Sequence, residues 1–395
     1  MIHKRPLRTF VLPLVLLLHS DPSNAAYTTT NNSNLHDNNA DCNCYVVGSG
    51  ADSNTPSYFQ YYRFFDFRDL ADRPNQYLNA PPLVNDTQSS GQEPVWTPSV
   101  FNSDAWNTDW GIQNWSKPAE TDFPTPMANS PANIYILQNN DTSNPFTWLT
   151  LRTSRLKNFQ SAGEIESNQQ NVMHASMRMH GRVRGAKGAC AGFFTFFDDN
   201  NESDIEVLTN DPTSEIRYTN QPALDKQGNE VPQASITKTS LPAWNEWQTH
   251  RIDWLPKNSY WYLNQQQVAA NAYSVPRKPS FPVMNMWSDG GSWSGNMSVG
   301  DSAEFHIQWI ELVFNTSGPV TGPPGGPGKS GKSGKRDVLE KRKKEKGCEV
   351  VCKVDNVKEL GNPEVVSVNK SAAAEMAVSW SLLVVVGVMA MFVGL

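Results

Sequence analysis

Hydrophobic and polar residues alternate with a period of two over several short stretches of this chain. From Met173 to His180, Met173, Ala175, Met177 and Met179 alternate with His174, Ser176, Arg178 and His180, the pattern of a strand with one buried face. His250 to Trp254, Tyr260 to Leu263, Phe281 to Trp287 and Phe305 to Phe314 read similarly, with Gly, Pro, Asn and Asp between them. No long helical stripe interrupts them, whereas an α/β barrel would need amphipathic helices of about ten or more residues between its strands. The pattern therefore predicts an all-β sandwich. About 270 residues from Cys42 to Asn315 are within reach of one large core, and a single domain over residues 27–317 is the economical reading.

The two ends carry a different pattern. Lys4, Arg5 and Arg8 precede the apolar run Phe10 to Leu18, which has the layout of a secretory signal over residues 1–25, with small residues Ser23, Ala25 and Ala26 as cleavage points. Residues 376–395 are almost entirely apolar and predict either a transmembrane helix or a signal exchanged for a GPI lipid. The lack of a basic flank favours the lipid, with Ser371 as its attachment residue. Residues 318–375 read as a disordered Pro/Gly-rich and then basic linker, beginning GPVTGPPGGPGKSGKSG. Asn-X-Ser/Thr sites at Asn31, Asn85, Asn114, Asn140, Asn296, Asn315 and Asn369 fit an exported glycoprotein. In an oxidising compartment the five cysteines, Cys42, Cys44, Cys190, Cys348 and Cys352, predict two bridges and one free thiol, with the connectivity open.

Charge narrows the partners. From Ala26 to Ser317 there are 18 Lys and Arg against 30 Asp and Glu, a net of −12, so nucleic acids and other polyanions are poor partners for this domain and a neutral one is expected. The segment Gly318 to Lys370 is basic, at 12 against 7, and reads as a solvated spacer.

The candidate chemistry lies in GFFTFFDDNNESDIEVLT, Gly192 to Thr209. Alternation puts Glu202, Asp204 and Glu206 on one face of a strand and Ser203, Ile205 and Val207 on the other. Three carboxylates in a row repel one another and raise one another's pKa, so stability alone would not select them. Retaining glycoside hydrolysis does: one carboxylate attacks the anomeric carbon while a protonated one serves the leaving oxygen, about 5 to 5.5 Å away. The outer glutamates stand about 13 Å apart along an ideal strand, so both side chains must lean inward on a concave sheet, with Asp204 bonding one of them between.

Glu-X-Asp-X-Glu on a strand resembles the signature of family 16 of the glycoside hydrolases, the laminarinase, lichenase and cell-wall transglycosylase group. YRFFDFRDL at Tyr62 to Leu70, ASMRMHGRVRGAKGACAGFF, HRIDWLP at His250 to Pro256, MNMWSDGGSWSG at Met284 to Gly295 and FHIQWIEL at Phe305 to Leu312 resemble the same family in order, especially its secreted fungal members. The resemblance implies a concanavalin-like β-jelly-roll sandwich, with Glu202 as nucleophile, Asp204 as assisting carboxylate and Glu206 as acid/base. It departs from the family at Ser203, where an aliphatic residue is usual and a neighbouring backbone group would have to satisfy the hydroxyl.

Sugar rings stack their C–H faces on aromatic side chains. Trp287 and Trp293, bracketing the SDGGS turn, are the expected cleft walls, and Trp106 and Trp110, in a loop-like stretch, an expected rim. Trp254 and Trp309, inside strand patterns, are expected in the core. Histidine spacing offers no metal site, no Gly-X-Ser-X-Gly elbow or phosphate loop occurs, and neither a cofactor nor a metal is expected. Asn201-Glu202-Ser203 also spells a glycosylation site, which an active enzyme would leave unmodified. The expectation is a monomeric, retaining endo-β-glucanase acting on β-1,3 or β-1,3-1,4 bonds of a neutral β-glucan, at the cell surface or wall of a fungus and tethered to the membrane at its C-terminus. A transglycosylase using the same carboxylates and a non-catalytic glycan-binding module are the alternatives.

Overall fold

The computed structural model of the protein describes residues 42–50, 54–70, 78–86, 93–141, 143–318 and 348–368. The leader, the apolar C-terminal segment and Ser371 lie outside these residues.

The domain is an all-β jelly-roll sandwich. Its outer sheet is built on the long strands Val172–Gly185 and Ser302–Thr316, which run antiparallel to each other. Gln248–Trp254, Ser259–Leu263 and Gln266–Asn271 extend it on one side, and Tyr61–Asp66, Thr147–Arg155 and Ile134–Gln138 on the other. The facing sheet runs, strand beside strand, Ser235–Lys238, Ile216–Asn220, Asn201–Leu208, Cys190–Asp198, Phe281–Trp287, Gln160–Ser167 and Trp110–Ile112. All five stretches of period-two alternation are strands. Their apolar faces meet in one cluster that includes Met177, Met179, Phe193, Ile205, Ile252, Trp254, Met284 and Ile310. That cluster supplies the burial that holds the sheets together.

A second, smaller sheet was not expected. Residues 348–368, assigned by sequence to the linker, form strands Val350–Lys353 and Glu364–Val368. They pair with Cys44–Ser49 and Thr55–Phe59 in a four-stranded sheet. Disulfides Cys42–Cys352 and Cys44–Cys348 fasten it, and Cys190 is the free, buried thiol.

This sheet lies against the outer face of the sandwich, where Tyr45, Val47, Phe59, Tyr62, Phe64, Trp309, Val313 and Val354 form a second core. The strand Tyr61–Asp66 therefore faces two cores, Tyr61 and Phe65 belonging to one and Tyr62 and Phe64 to the other, which accounts for its unbroken aromatic run. The small sheet also corrects the reading of Met173 to His180. Its polar face is not solvent-exposed: Ser176 is fully buried and Arg178 nearly so, paired with Glu311 at 3.2 Å and with Asp355 of the C-terminal segment at 2.7 Å.

Candidate active site

The strand Asn201–Leu208 turns Ile205 and Val207 into the main core and Glu202, Asp204 and Glu206 to the opposite, open face of its sheet. Ser203 also points inward and is fully buried. Its hydroxyl is satisfied by the Ser259 hydroxyl of the facing sheet at 3.2 Å, not by a backbone group. A buried hydroxyl with a partner is tolerable between two sheets, and the exchange of an aliphatic residue for serine leaves the carboxylate face unchanged.

The three carboxyls are held differently. Asp204 is 1% exposed and takes a hydrogen bond from Gln221 Nε2 at 3.2 Å on Oδ2. Its Oδ1 has no N–H donor. The partner that remains is Glu202, with which Asp204 shares a hydrogen bond that raises the pKa of Asp204 and lowers that of Glu202. Two carboxyls in such contact share a proton and titrate together. Burial is the main cause that pushes Glu202 up to about 8, and it pushes Asp204 well above the usual carboxylate range, with the charges of Glu202 and Glu206 adding to it.

Glu206 is also raised by burial, but its ionised form has more support. Oε1 accepts from Trp293 Nε1 at 3.0 Å and from the Cys190 thiol at 3.4 Å. Arg217, on the neighbouring strand opposite Glu206, adds positive charge, lies 5.0 Å over the Trp293 ring and is itself paired with Asp211 at 2.9 Å. The three carboxyls titrate as a set.

On the other side of Glu206 the floor opens. Gly192 lies opposite Glu206 on one side and Asn285 on the other, and a Cβ there would stand 2.6 Å from Asn285 Oδ1. Any larger residue would fill the floor beside the carboxylates. The row ends at Glu164, paired across from Asn285 and bonded by Asn285 Nδ2 at 3.1 Å and Trp115 Nε1 at 2.9 Å. Burial, the leading cause, pushes Glu164 up to about 7.

Trp293 thus bonds Glu206 directly. Trp287 ends the strand Phe281–Trp287 on the same open face, with Lys117 Nζ 5.4 Å from its ring and ion-paired to Asp289 at 3.0 Å. Trp106 and Trp110 are not a rim. Ser103 caps a short helix, Asp104–Asp109, that turns Trp106 inward, and both rings are buried beside Phe65, Phe67 and Phe101 in the main core. The exposed tryptophan of this region is Trp115, 42% accessible. Sequence reading passed over it, together with Glu164, Asn285, Arg217 and Cys190. Trp254 and Trp309 are buried in the two cores, as expected. Asn201 is partly buried, its Nδ2 donating to Asp198 at 2.8 Å and its Oδ1 accepting from the Arg277 amide. Among the described residues no cluster of three or more His, Cys, Asp or Glu side chains is arranged to hold a metal ion.

These raised pKa values carry a stability consequence. A carboxyl that binds its proton more tightly when folded contributes stability that is present in full below the unfolded pKa and is lost as pH rises through the folded one. For Glu202 that window runs from about 4.5 to about 8. The melting temperature should fall across it, and the fall should be shallower in Asp204→Asn, which removes one ionisable member of the set. Thermal unfolding by circular dichroism over this pH range checks the prediction, and parallel curves for parent and variant would refute it.

Residues 130–311 match the family described as Glycosyl hydrolases family 16. No curated protein matches the chain. Among solved structures it is similar to a β-glucanase of Bacillus licheniformis, at 18% identity and a TM-score of 0.42 over 52% of this chain and 92% of that one. It is also similar to the laminarinase catalytic domain of Thermotoga maritima, at 12% identity and a TM-score of 0.40 over 53% and 93%. With the family match covering the carboxylate strand, the sandwich domain is a glycoside hydrolase.

Proposed function

We propose that the protein is a retaining endo-β-glucanase that cleaves β-1,3 or β-1,3-1,4 bonds of a cell-wall glucan. The observation that carries this reading is the row of three carboxyls on the open face of Asn201–Leu208, with Asp204 buried in the middle and Glu206 bonded to Trp293. Glu202 is the nucleophile. In this mechanism Asp204 holds the proton the pair shares, which leaves Glu202 ionised and orients it, and the same proton stabilises the carboxylate again when the glycosyl-enzyme is released.

Glu206, raised by burial, keeps a proton for the leaving oxygen. Once that proton is transferred, the Trp293 and Cys190 donors and the Arg217 charge support the carboxylate, which can then take a proton from the incoming water. Trp115, Trp287 and Trp293 offer stacking surfaces, while Asn285 and Glu164 offer partners for sugar hydroxyls along the floor. The acidic surroundings favour a neutral polymer over an anionic one. We further place the protein in the secretory pathway and at the cell surface, exported by residues 1–25 and tethered through residues 376–395.

The test is incubation with laminarin and with mixed-linkage β-glucan, following the anomeric protons of the first products by NMR. Early appearance of the β-anomer, with a mixture of oligosaccharide lengths, is expected. First products in the α-configuration would overturn retention, and failure to release sugar from either polymer would overturn the glucanase reading. In the second case a labelled oligosaccharide acceptor that grows in length would point to transfer in place of hydrolysis.

A further inference from the structure

Cys190 is the one cysteine outside the two disulfides, and it is fully buried on the cleft side of the sheet. On its strand, Ala191 and Phe193 enter the core, so Cys190, Gly192 and Phe194 face the carboxylates. In register, Cys190 lies between Leu208 and Trp287, diagonal to Glu206. Directly opposite Glu206 is Gly192, which offers no side chain. The thiol therefore reaches the carboxylate across the space that glycine leaves. Its Sγ stands 3.4 Å from Glu206 Oε1, the oxygen that also takes the Trp293 N–H.

A thiol at such a place is a donor and nothing else. Burial, with the charge of Glu206 second, pushes its pKa far up, so it stays protonated beside the carboxylate. We propose that Cys190 is a positioning residue for Glu206: its S–H, together with the Trp293 N–H, fixes one carboxylate oxygen and leaves the other toward the substrate. The proposal deepens the acid/base role assigned to Glu206 above and rests on it for its kinetic meaning.

The proposal predicts a displaced pH profile. Glu206 must be protonated to serve the leaving group, so its pKa sets the basic limb of kcat/KM. Removing a donor to the ionised form raises that pKa. Cys190→Ala should move the limb upward by about half a pH unit, a roughly threefold change in proton affinity. Cys190→Ser retains a donor, and its limb should lie at or below that of the parent. The other charges around Glu206 are unchanged in both variants: Glu202 and Asp204 on its own strand, Arg217 on the next with Asp211 and Glu215 in the turn before it, and Asp289 in the loop after Trp287.

The experiment pairs glucan kinetics with an activity-independent readout, a carboxyl carbon NMR titration of protein carrying 13C-labelled glutamate, with the Glu206 signal identified by its loss in Glu206→Gln. An upward shift in Cys190→Ala reversed in Cys190→Ser supports the proposal. An unmoved Glu206 titration in Cys190→Ala, or equal displacement in both variants, overturns it. If the parent hydrolyses no glucan, the glucanase reading fails, and the titration alone still decides what Cys190 does. Should Cys190→Ala not fold, Cys190→Ser is measured against the parent, and a rise in its Glu206 pKa overturns the proposal.

Discussion

Glu202→Gln is expected to lower glucan hydrolysis by on the order of 10⁴-fold or more and, at the same time, to raise the melting temperature near pH 8. Under the proposed mechanism both have one cause: burial weakens the solvation of the charge that would attack the sugar. Glutamine keeps the shape of the side chain and can still accept the Asp204 proton on its amide oxygen, but it offers no nucleophile. It also removes a carboxyl pushed up to about 8 by burial, so the fold no longer bears an ionised group there as pH rises. A residue of purely structural importance would lose stability and activity together. Opposite signs mark a site where function is maintained against stability.

Glu206→Gln should differ in a diagnostic way. It removes the proton for the leaving oxygen, a loss of about 10² to 10⁴, and an aryl glycoside whose leaving group needs no proton should recover most of that loss. Glu202→Gln should not recover with any leaving group. Measuring both variants on polymer and on an activated aryl oligosaccharide decides the assignment. Recovery of Glu202→Gln in place of Glu206→Gln would exchange the two roles.

The strands and the carboxylate face were legible because each rests on local alternation, and alternation survives whatever lies beyond the strand. Where the reading failed, the decisive contact was distant in sequence. Arg178 is polar and one position out of phase with Met177 and Met179, a pattern that by itself predicts the unburied face of the strand. It is buried because Asp355, 177 residues later, covers it.

The Cys348 to Val368 segment was hidden by the basic, Pro/Gly-rich stretch before it, although the cysteine pairs at 42 and 44 and at 348 and 352 carried a signal of two closely spaced bridges. Trp106 and Trp110 stand in a stretch whose polar neighbours Asn102, Ser103, Asp104, Asn107 and Asp109 give it the look of a loop. Ser103 caps the short helix that turns Trp106 inward, and Trp110 begins the strand Trp110–Ile112 that carries its ring into the same core. Trp115 had no signal of its own, since an exposed aromatic among Asn114, Ser116 and Lys117 looks the same whether or not a floor lies beneath it.

The small sheet carries the second large expectation, which separates single from double bridge removal. Cys42–Cys352 closes a span of 310 residues and Cys44–Cys348 one of 304. The two are nested almost end on end, so either alone keeps nearly the whole loop closed. Loop-closure entropy grows only with the logarithm of span. Cys42→Ser with Cys352→Ser, or Cys44→Ser with Cys348→Ser, should therefore cost only the closure of the short loop between the two bridges, about 2 kcal/mol. Removing both bridges should cost about 8 kcal/mol, a large share of the stability of an ordinary domain.

Detachment would further uncover the second core and leave Arg178, Arg251 and Gly48 without Asp355, which accepts from or pairs with all three. Urea unfolding of the four-cysteine variant beside the two single-bridge variants, without reductant, tests this. Equal losses in all three would mean that the bridges act through local contacts and not through the loop they close. Because Asp355 and both bridges lie on the outer face of the sandwich, opposite the carboxylates, the kcat/KM of each variant should match the parent wherever it is folded.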